Sequence, residues 1–264
     1  MDFLTYVLPE DCLSRIISFT SPVDASRSAA VSRAFESAAD SDAVWGSFLP
    51  PDYGEIITRA AASFPLLSSL SKKDLYFHLC HNPILLDGDP ISFTLEKQSG
   101  KKCYMIGASG LAITWGHVPL YWQWKPLPES RFTEVAELSH VWWLDIRGRI
   151  ATEILSPRTT YAAYLVFKFA EFKGGFDQRL VELSIIFEQA VAVEKRMVYL
   201  DPPEDMPKLS HDRQDGWMEI EIGSFFNENG DNGPVVFIIR EVDNYTVKQG
   251  LIVEGIELRP KCSI

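Results

Sequence analysis

The hydrophobic positions change period near residue 90. Before it they recur at helical spacing, and after it at every second residue. Leu13, Ile16 and Ile17 share one face at the i, i+3, i+4 spacing of a helix. Ser21 stands before Pro22, with Asp24 completing a box-like cap, so a second helix starts there. Ser71-Lys72-Lys73-Asp74 repeats the capping pattern and opens the helical run Leu75–Cys80. Between these lie a break at Leu49–Gly54 and a helical stretch from Glu55 to Ala62. Asn82-Pro83 and then Asp87-Gly88-Asp89-Pro90 form the boundary turn.

Beyond the turn, Trp142, Leu144, Ile146, Gly148 and Ile150 alternate with Trp143, Asp145, Arg147 and Arg149. That is the pattern of a half-buried strand in an antiparallel sheet. Further strands are predicted at 91–97, 102–106, 111–115, 132–138, 161–172, 180–187, 190–200, 217–222, 235–242 and 251–258. Many short strands without interleaved helices indicate a sandwich or jelly roll. The expected class is α+β: helices at 3–50 and a helical connector at 51–90, then an antiparallel β-sandwich at 91–262. The proline- and charge-rich stretch Asp201–Gln214 reads as a mobile loop.

The N-terminal helices carry more apolar surface than so short a unit can hide, since even a domain of about 60 residues buries only ~60% of its unfolded surface. Leu8-Pro9-Glu10, then Leu13/Ile16/Ile17, Ser21-Pro22-Val23-Asp24, Val31-Ser32-Arg33-Ala34-Phe35 and Trp45 follow in that order. The series resembles an F-box. The resemblance implies docking to a Skp-type adaptor and so to a cullin–RING ubiquitin ligase. Helix-in-groove docking would draw on Leu8, Pro9, Leu13, Ile16, Ile17, Pro22 and Val31. The competing reading gives some of these residues, with Phe35 and Trp45, to an internal core.

From residue 91 onward the motifs are dense. They include Ile113-Thr114-Trp115-Gly116, Tyr121-Trp122-Gln123-Trp124, Glu129-Ser130-Arg131-Phe132 and Trp143-Leu144-Asp145-Ile146-Arg147-Gly148. Leu155-Ser156-Pro157, Asp215-Gly216-Trp217-Met218-Glu219 and Gly255-Ile256-Glu257-Leu258-Arg259-Pro260 continue them. This half resembles the plant phloem protein two (Nictaba-like lectin) family. The resemblance implies a jelly roll that, in lectin members, binds N-acetylglucosamine oligomers or N-glycan cores. It points to Trp115 and Trp122 as the carbohydrate-binding pair. Independently, sugars stack C–H faces on aromatic rings, and Trp115, Tyr121, Trp122 and Trp124 surround a loop. Tryptophan is also commonly a core residue, so both readings stay open for these rings, and Trp124 and Trp142 are assigned to the core.

Charge narrows the function. The 264 residues carry 36 acidic and 25 basic side chains, a net charge of −11, which argues against nucleic-acid binding. No apolar run reaches the ~20 residues of a membrane span, and the N-terminus lacks a signal-peptide pattern. Cys12, Cys80, Cys103 and Cys262 show neither pairing nor metal spacing, which fits a reducing compartment, so cytoplasm and nucleus are expected. His78, Cys80 and His81 lack a second ligand pair, and the sequon at Asn244 reads as chance. Glu219 and Glu221 share a strand face and read as a solvated pair rather than a glycosidase couple. No enzyme, metal or cofactor is expected. The predicted function is that of a substrate receptor for glycoproteins or proteins, with a carbohydrate- or protein-binding module outside a ubiquitin ligase as the alternative.

Overall fold

The computed structural model describes residues 8–60, 64–187, 194–230, 233–243 and 245–261. Residues 3–7, the end of the helical stretch at 61–62, the strand start at 190–193, the sequon's Asn244 and Cys262 lie outside the described residues. The chain forms two compact units, Met1–Gly88 with Phe93–Cys103, and Asp89–Ser92 with Tyr104–Ile264.

The first unit is helical: α1 (Glu10–Ile17), α2 (Pro22–Ser28), α3 (Arg33–Ala39), α4 (Asp42–Phe48), α5 (Tyr53–Arg59) and α6 (Lys72–His81). Its helix starts follow the capping residues. Ser21 accepts from the Asp24 N–H at 3.1 Å, Ser71 from the Asp74 N–H at 3.1 Å, and Ser32 from the Phe35 N–H at 3.4 Å. Each such cap is worth about 1 kcal/mol. Leu13, Ile17, Ala38, Val44 and Trp45 form the core, and the Trp45 indole donates to the Ala39 carbonyl at 2.8 Å. Trp45 also packs on Tyr76 and Phe77 of α6, with ring centroids 5.2 and 5.0 Å apart.

Residue 90 is not where this unit ends, because the turn of the first hairpin belongs to it. Strands β2 (Ile91–Leu95) and β3 (Lys102–Gly107) follow the short β1 (Ile84–Leu85). The buried Tyr76 hydroxyl donates to the Lys97 carbonyl at 3.0 Å, and Lys102 pairs with Asp52 at 3.0 Å. Gly100 has φ +69, and a Cβ there would lie 2.4 Å from the Phe48 carbonyl oxygen. Glycine is therefore required twice over, by conformation and by the close approach.

The second unit is a sandwich of two antiparallel sheets. It adds β4 (Ala112–Ile113), β5 (Trp122–Lys125), β6 (Val135–Leu138), β7 (Leu144–Ala151), β8 (Thr159–Gly174), β9 (Val181–Phe187) and β10 (Glu194–Val198). β11 (His211–Asp212), β12 (Met218–Asn227), β13 (Pro234–Glu241) and β14 (Gln249–Pro260) complete it. One sheet runs β3-β14-β8-β12-β11, with the β5–β6 hairpin joined to β14; the other runs β10-β9-β13-β7-β4. Alternation puts Tyr161, Ala163, Leu165 and Phe167 of β8 inside, opposite Leu183, Ile185, Phe237 and Ile239. Phe225 of β12 meets Phe237 of β13 across the core at 6.3 Å.

Three sequence expectations change here. The segment 201–214 is not wholly loop: it contributes β11, paired to β12 through His211↔Glu219. The strand expected at 111–115 shrinks to Ala112–Ile113, because Trp115 turns the chain with φ +59. Glu219 and Glu221 are not a solvated pair. Glu219 lies between Arg213 at 2.9 Å and Arg259 at 2.6 Å, and Glu221 pairs with Lys261 at 2.8 Å. Beside them Glu257 is buried, and burial alone would push its carboxyl up. Arg131, Arg213 and Arg259 together hold it below the usual carboxylate range. Arg131 belongs to a strap over the outer face of this sheet. Its N–H donates to Glu254 at 3.0 Å, and the Trp217 indole donates to the Glu129 carbonyl at 3.3 Å.

Candidate functional sites

The helical unit divides the expected docking residues into two groups. Leu13 and Ile17 are buried at 3% and belong to the unit's own core, as does Pro22 at the first position of α2. Burying each such aliphatic side chain contributes about 1.5–3 kcal/mol to the fold, and these cannot also face a partner. Pro9 caps α1 and is exposed, and Leu8 is half-buried. Ile16 and Val31 are exposed at 54% and 60%, as a docking surface requires. Phe19, at 79% exposed, lies one turn after Ile16 and adds to this exposed apolar surface. It sits past the end of α1, where a helical periodicity no longer assigns a face.

In the sandwich unit the two expected tryptophans separate. Trp122 opens β5, pairs with Leu138 and is 2% exposed; its indole N–H has no hydrogen-bond partner among the described residues. It is a core residue and presents no face to a ligand. Trp115 is 42% exposed. Its left-handed backbone is unusual for a bulky residue and is held by local bonds, with Gly116 N–H on the Ile113 carbonyl and Val118 N–H on the Trp115 carbonyl, both at 2.9 Å. Trp124 ties its own strand to this turn, donating to the Gly116 carbonyl at 2.8 Å.

Around Trp115 the fold assembles a run of four rings. Trp115 lies 5.4 Å from Tyr121, Tyr121 lies 5.6 Å from His140, and His140 lies 6.1 Å from Trp142. The last two contacts are edge-to-face, so the run is corrugated rather than flat. Ser139 N–H donates to the Tyr121 carbonyl at 2.8 Å, which sets His140 beside Tyr121. Trp142 is 46% exposed, contrary to its expected place in the core. The alternating register starts only at Leu144, and a bend at Trp142 breaks the phase.

A buried ion pair supports this end of the run. Lys248 is fully buried and pairs with Glu241, while its Nζ donates to the Trp142 carbonyl at 2.7 Å and the Thr246 carbonyl at 3.1 Å. Val141 and Lys248 also exchange backbone hydrogen bonds. Exposed aromatic edges and faces on a backbone fixed in this way suit ligands with apolar C–H surfaces. Among the described residues no cluster of three or more His, Cys, Asp or Glu could hold a metal ion, and no helix is long and apolar enough to cross a membrane. Cys80 is half-buried, and burial pushes its thiol up to about 11, away from the thiolate form.

Comparison with known proteins matches both units. A family model described as Phloem protein 2 matches residues 101–260, and one described as F-box domain matches residues 7–46. F-box protein At2g02240 of Arabidopsis thaliana is 46% identical over 264 residues, covering 96% of this chain and 79% of that protein. F-box protein PP2-B10 of the same plant is 46% identical, covering 96% of this chain and 92% of that protein. Among solved structures, the CBM22-1 xylan-binding domain from Paenibacillus barcinonensis Xyn10C aligns at 9% identity with a TM-score of 0.32. It covers 60% of this chain and 90% of that domain.

Proposed function

The chain belongs to the phloem protein 2 family, with an F-box ahead of the family domain, and on that premise we propose that it is a substrate-recognition subunit of a cullin–RING ubiquitin ligase. The observation that carries the reading is the apolar set Ile16, Phe19 and Val31, exposed on a helical unit that already has a complete core. Single exposed apolar residues are ordinary on protein surfaces, but three between residues 16 and 31 fit a helix-in-groove contact with a Skp-type adaptor. The chain works without catalysis of its own, in cytoplasm and nucleus. It brings a captured target near the ubiquitin-charged enzyme and raises its effective concentration.

The target would be held by the ring run Trp115–Tyr121–His140–Trp142. Stacked aromatic contacts add about 0.5–1.5 kcal/mol each beyond their area, so several in series give a usable weak site for a glycan chain. The resemblance to lectins supports N-acetylglucosamine oligomers or N-glycan cores as the sugar. Calorimetry with a chitin trimer tests this. Heat that is lost in Trp115→Asn and Trp142→Ala supports the reading, and no heat at millimolar trimer from the folded protein rejects it. Leu120, 61% exposed within the same loop, favours a second reading in which the rings and this leucine grip a protein surface without sugar.

A further inference from the structure

A depression of the sandwich unit lies apart from the ring run, over the outer face of the β9-β13 ladder. It has a volume of about 510 Å³ and is bounded by Gln178, Glu182, Tyr199, Arg240 and Asp243, with Met197 on its apolar side. That size falls within the range of small-ligand sites.

Its charges do not balance locally. Glu182 is paired to Lys195 at 2.7 Å, Asp243 to Arg179 at 2.9 Å, and Glu241 to the buried Lys248. Among the described residues here, Arg240 is the cation with the longest ion pair. Its ion-pair partner, Asp145, stands 4.0 Å away and is already held by two nitrogens of the Arg147 fork at 2.9 Å. The Arg240 Nε is covered and has no hydrogen-bond partner among the described residues, while the side chain as a whole is 40% exposed. A guanidinium whose carboxylate pair is long, on a side chain open to the cavity, is suited to an arriving anion. A planar guanidinium takes a carboxylate through two parallel bonds.

The remaining walls select what carries the carboxylate. Glu182, Asp243 and Gln178 present oxygens and an amide for hydroxyl groups. Tyr199 is half-buried and Met197 half-exposed, giving an apolar flank for C–H faces. We propose that this cavity binds an acidic monosaccharide unit, a hexuronate, with its carboxylate on Arg240 and its hydroxyls on Glu182 and Asp243. The site is independent of the ring run, so it stands whether or not that run binds glycans.

NMR titration of the full chain with glucuronate, glucose and acetate, at low and high salt, tests the proposal. Glucuronate should shift the amides of the cavity residues and bind at least ten-fold tighter than either glucose or acetate, with the advantage reduced by salt. Arg240→Gln should erase that advantage while Trp115→Asn leaves it intact. If Arg240→Gln fails to fold, Arg240→Lys serves instead and must lower the advantage several-fold, because an ammonium lacks the planar fork. Equal binding of glucuronate and glucose would overturn the proposal. So would an advantage that survives loss of the fork, acetate binding as tightly as glucuronate, or an acidic peptide displacing glucuronate at lower concentration.

Discussion

Lys248→Met is the most informative single substitution in the sandwich unit. The side chains of Lys248 and Glu241 are exposed by only 0% and 4%. Methionine fills nearly the same volume, so packing is preserved and the electrostatics are isolated. The variant removes the ion pair and the two hydrogen bonds to the Trp142 and Thr246 carbonyls. It leaves the Glu241 carboxylate buried with only the Asp243 N–H, 2.9 Å away, as an observed donor. Breaking one partner of a buried pair costs about 3–5 kcal/mol, because the remaining charge is uncompensated. At a urea m-value of about 2 kcal/mol/M, that lowers the denaturation midpoint by about 2 M. Lys248→Met with Glu241→Leu removes both charges together, and its cost should fall short of the sum of the singles by up to about 3 kcal/mol. Equilibrium urea unfolding followed by tryptophan fluorescence provides all the terms. A loss below about 1 kcal/mol for Lys248→Met, or simple additivity in the double variant, would refute the idea that this pair fixes the ring run.

Other substitutions probe separate parts of the fold. Trp115→Asn should leave stability unchanged or raise it by about 1 kcal/mol, because a left-handed backbone costs a bulky residue about 1–2 kcal/mol; a thermal scan showing marked destabilisation would make the ring structural. Gly100→Ala should lower the melting temperature of the helical unit by several degrees, since the new methyl meets the Phe48 carbonyl; an unchanged melt would mean the hairpin is not seated there. Glu257 has a folded pKa depressed by its three arginines, so its stabilisation is complete above the unfolded value of about 4.3 and is lost as pH falls through the folded value. Glu254 is shifted the other way, raised by burial against the Arg131 N–H and Ser130, so its contribution is present below its unfolded value and fades as pH rises through the folded one. Glu257→Gln should therefore flatten the acid limb of a stability–pH curve, and an equally steep limb would contradict the network.

Much of the fold was legible because it rests on short-range rules. The serine caps, the switch of period near residue 90 and the alternation of β8 and β13 are local patterns that burial enforces. The site was less legible because it is built from non-local contacts. Trp122 and Trp115 look equivalent in sequence, yet strand pairing to Leu138 draws one inside and a left-handed turn leaves the other out. Trp142 shares the parity of Leu144 and Ile146, and only the bend before β7 and the distant Lys248 lift it from the core. His140 gave no signal by itself; its role comes from Tyr121, brought alongside by the β5–β6 hairpin. In the helical unit, Leu13 and Ile17 look as available as Ile16 on an i, i+3, i+4 face, and only the packing of the neighbouring helices divides them. The ion pairs at Glu219 and Glu221 likewise depend on Arg213, Arg259 and Lys261 from other strands.

The receptor reading is tested most directly by titrating a purified Skp-type adaptor with the full chain and with Ile16→Asp/Phe19→Asp. Both residues are exposed, so the double variant should melt as the wild type does, while a carboxylate pressed into a dry groove costs several kcal/mol, about 2–7 for an unpaired polar group and more for a charge. The account predicts tight binding by the wild type and at least a hundred-fold loss in the folded variant. Equal affinity of the two proteins, or no binding by the wild type, would contradict it.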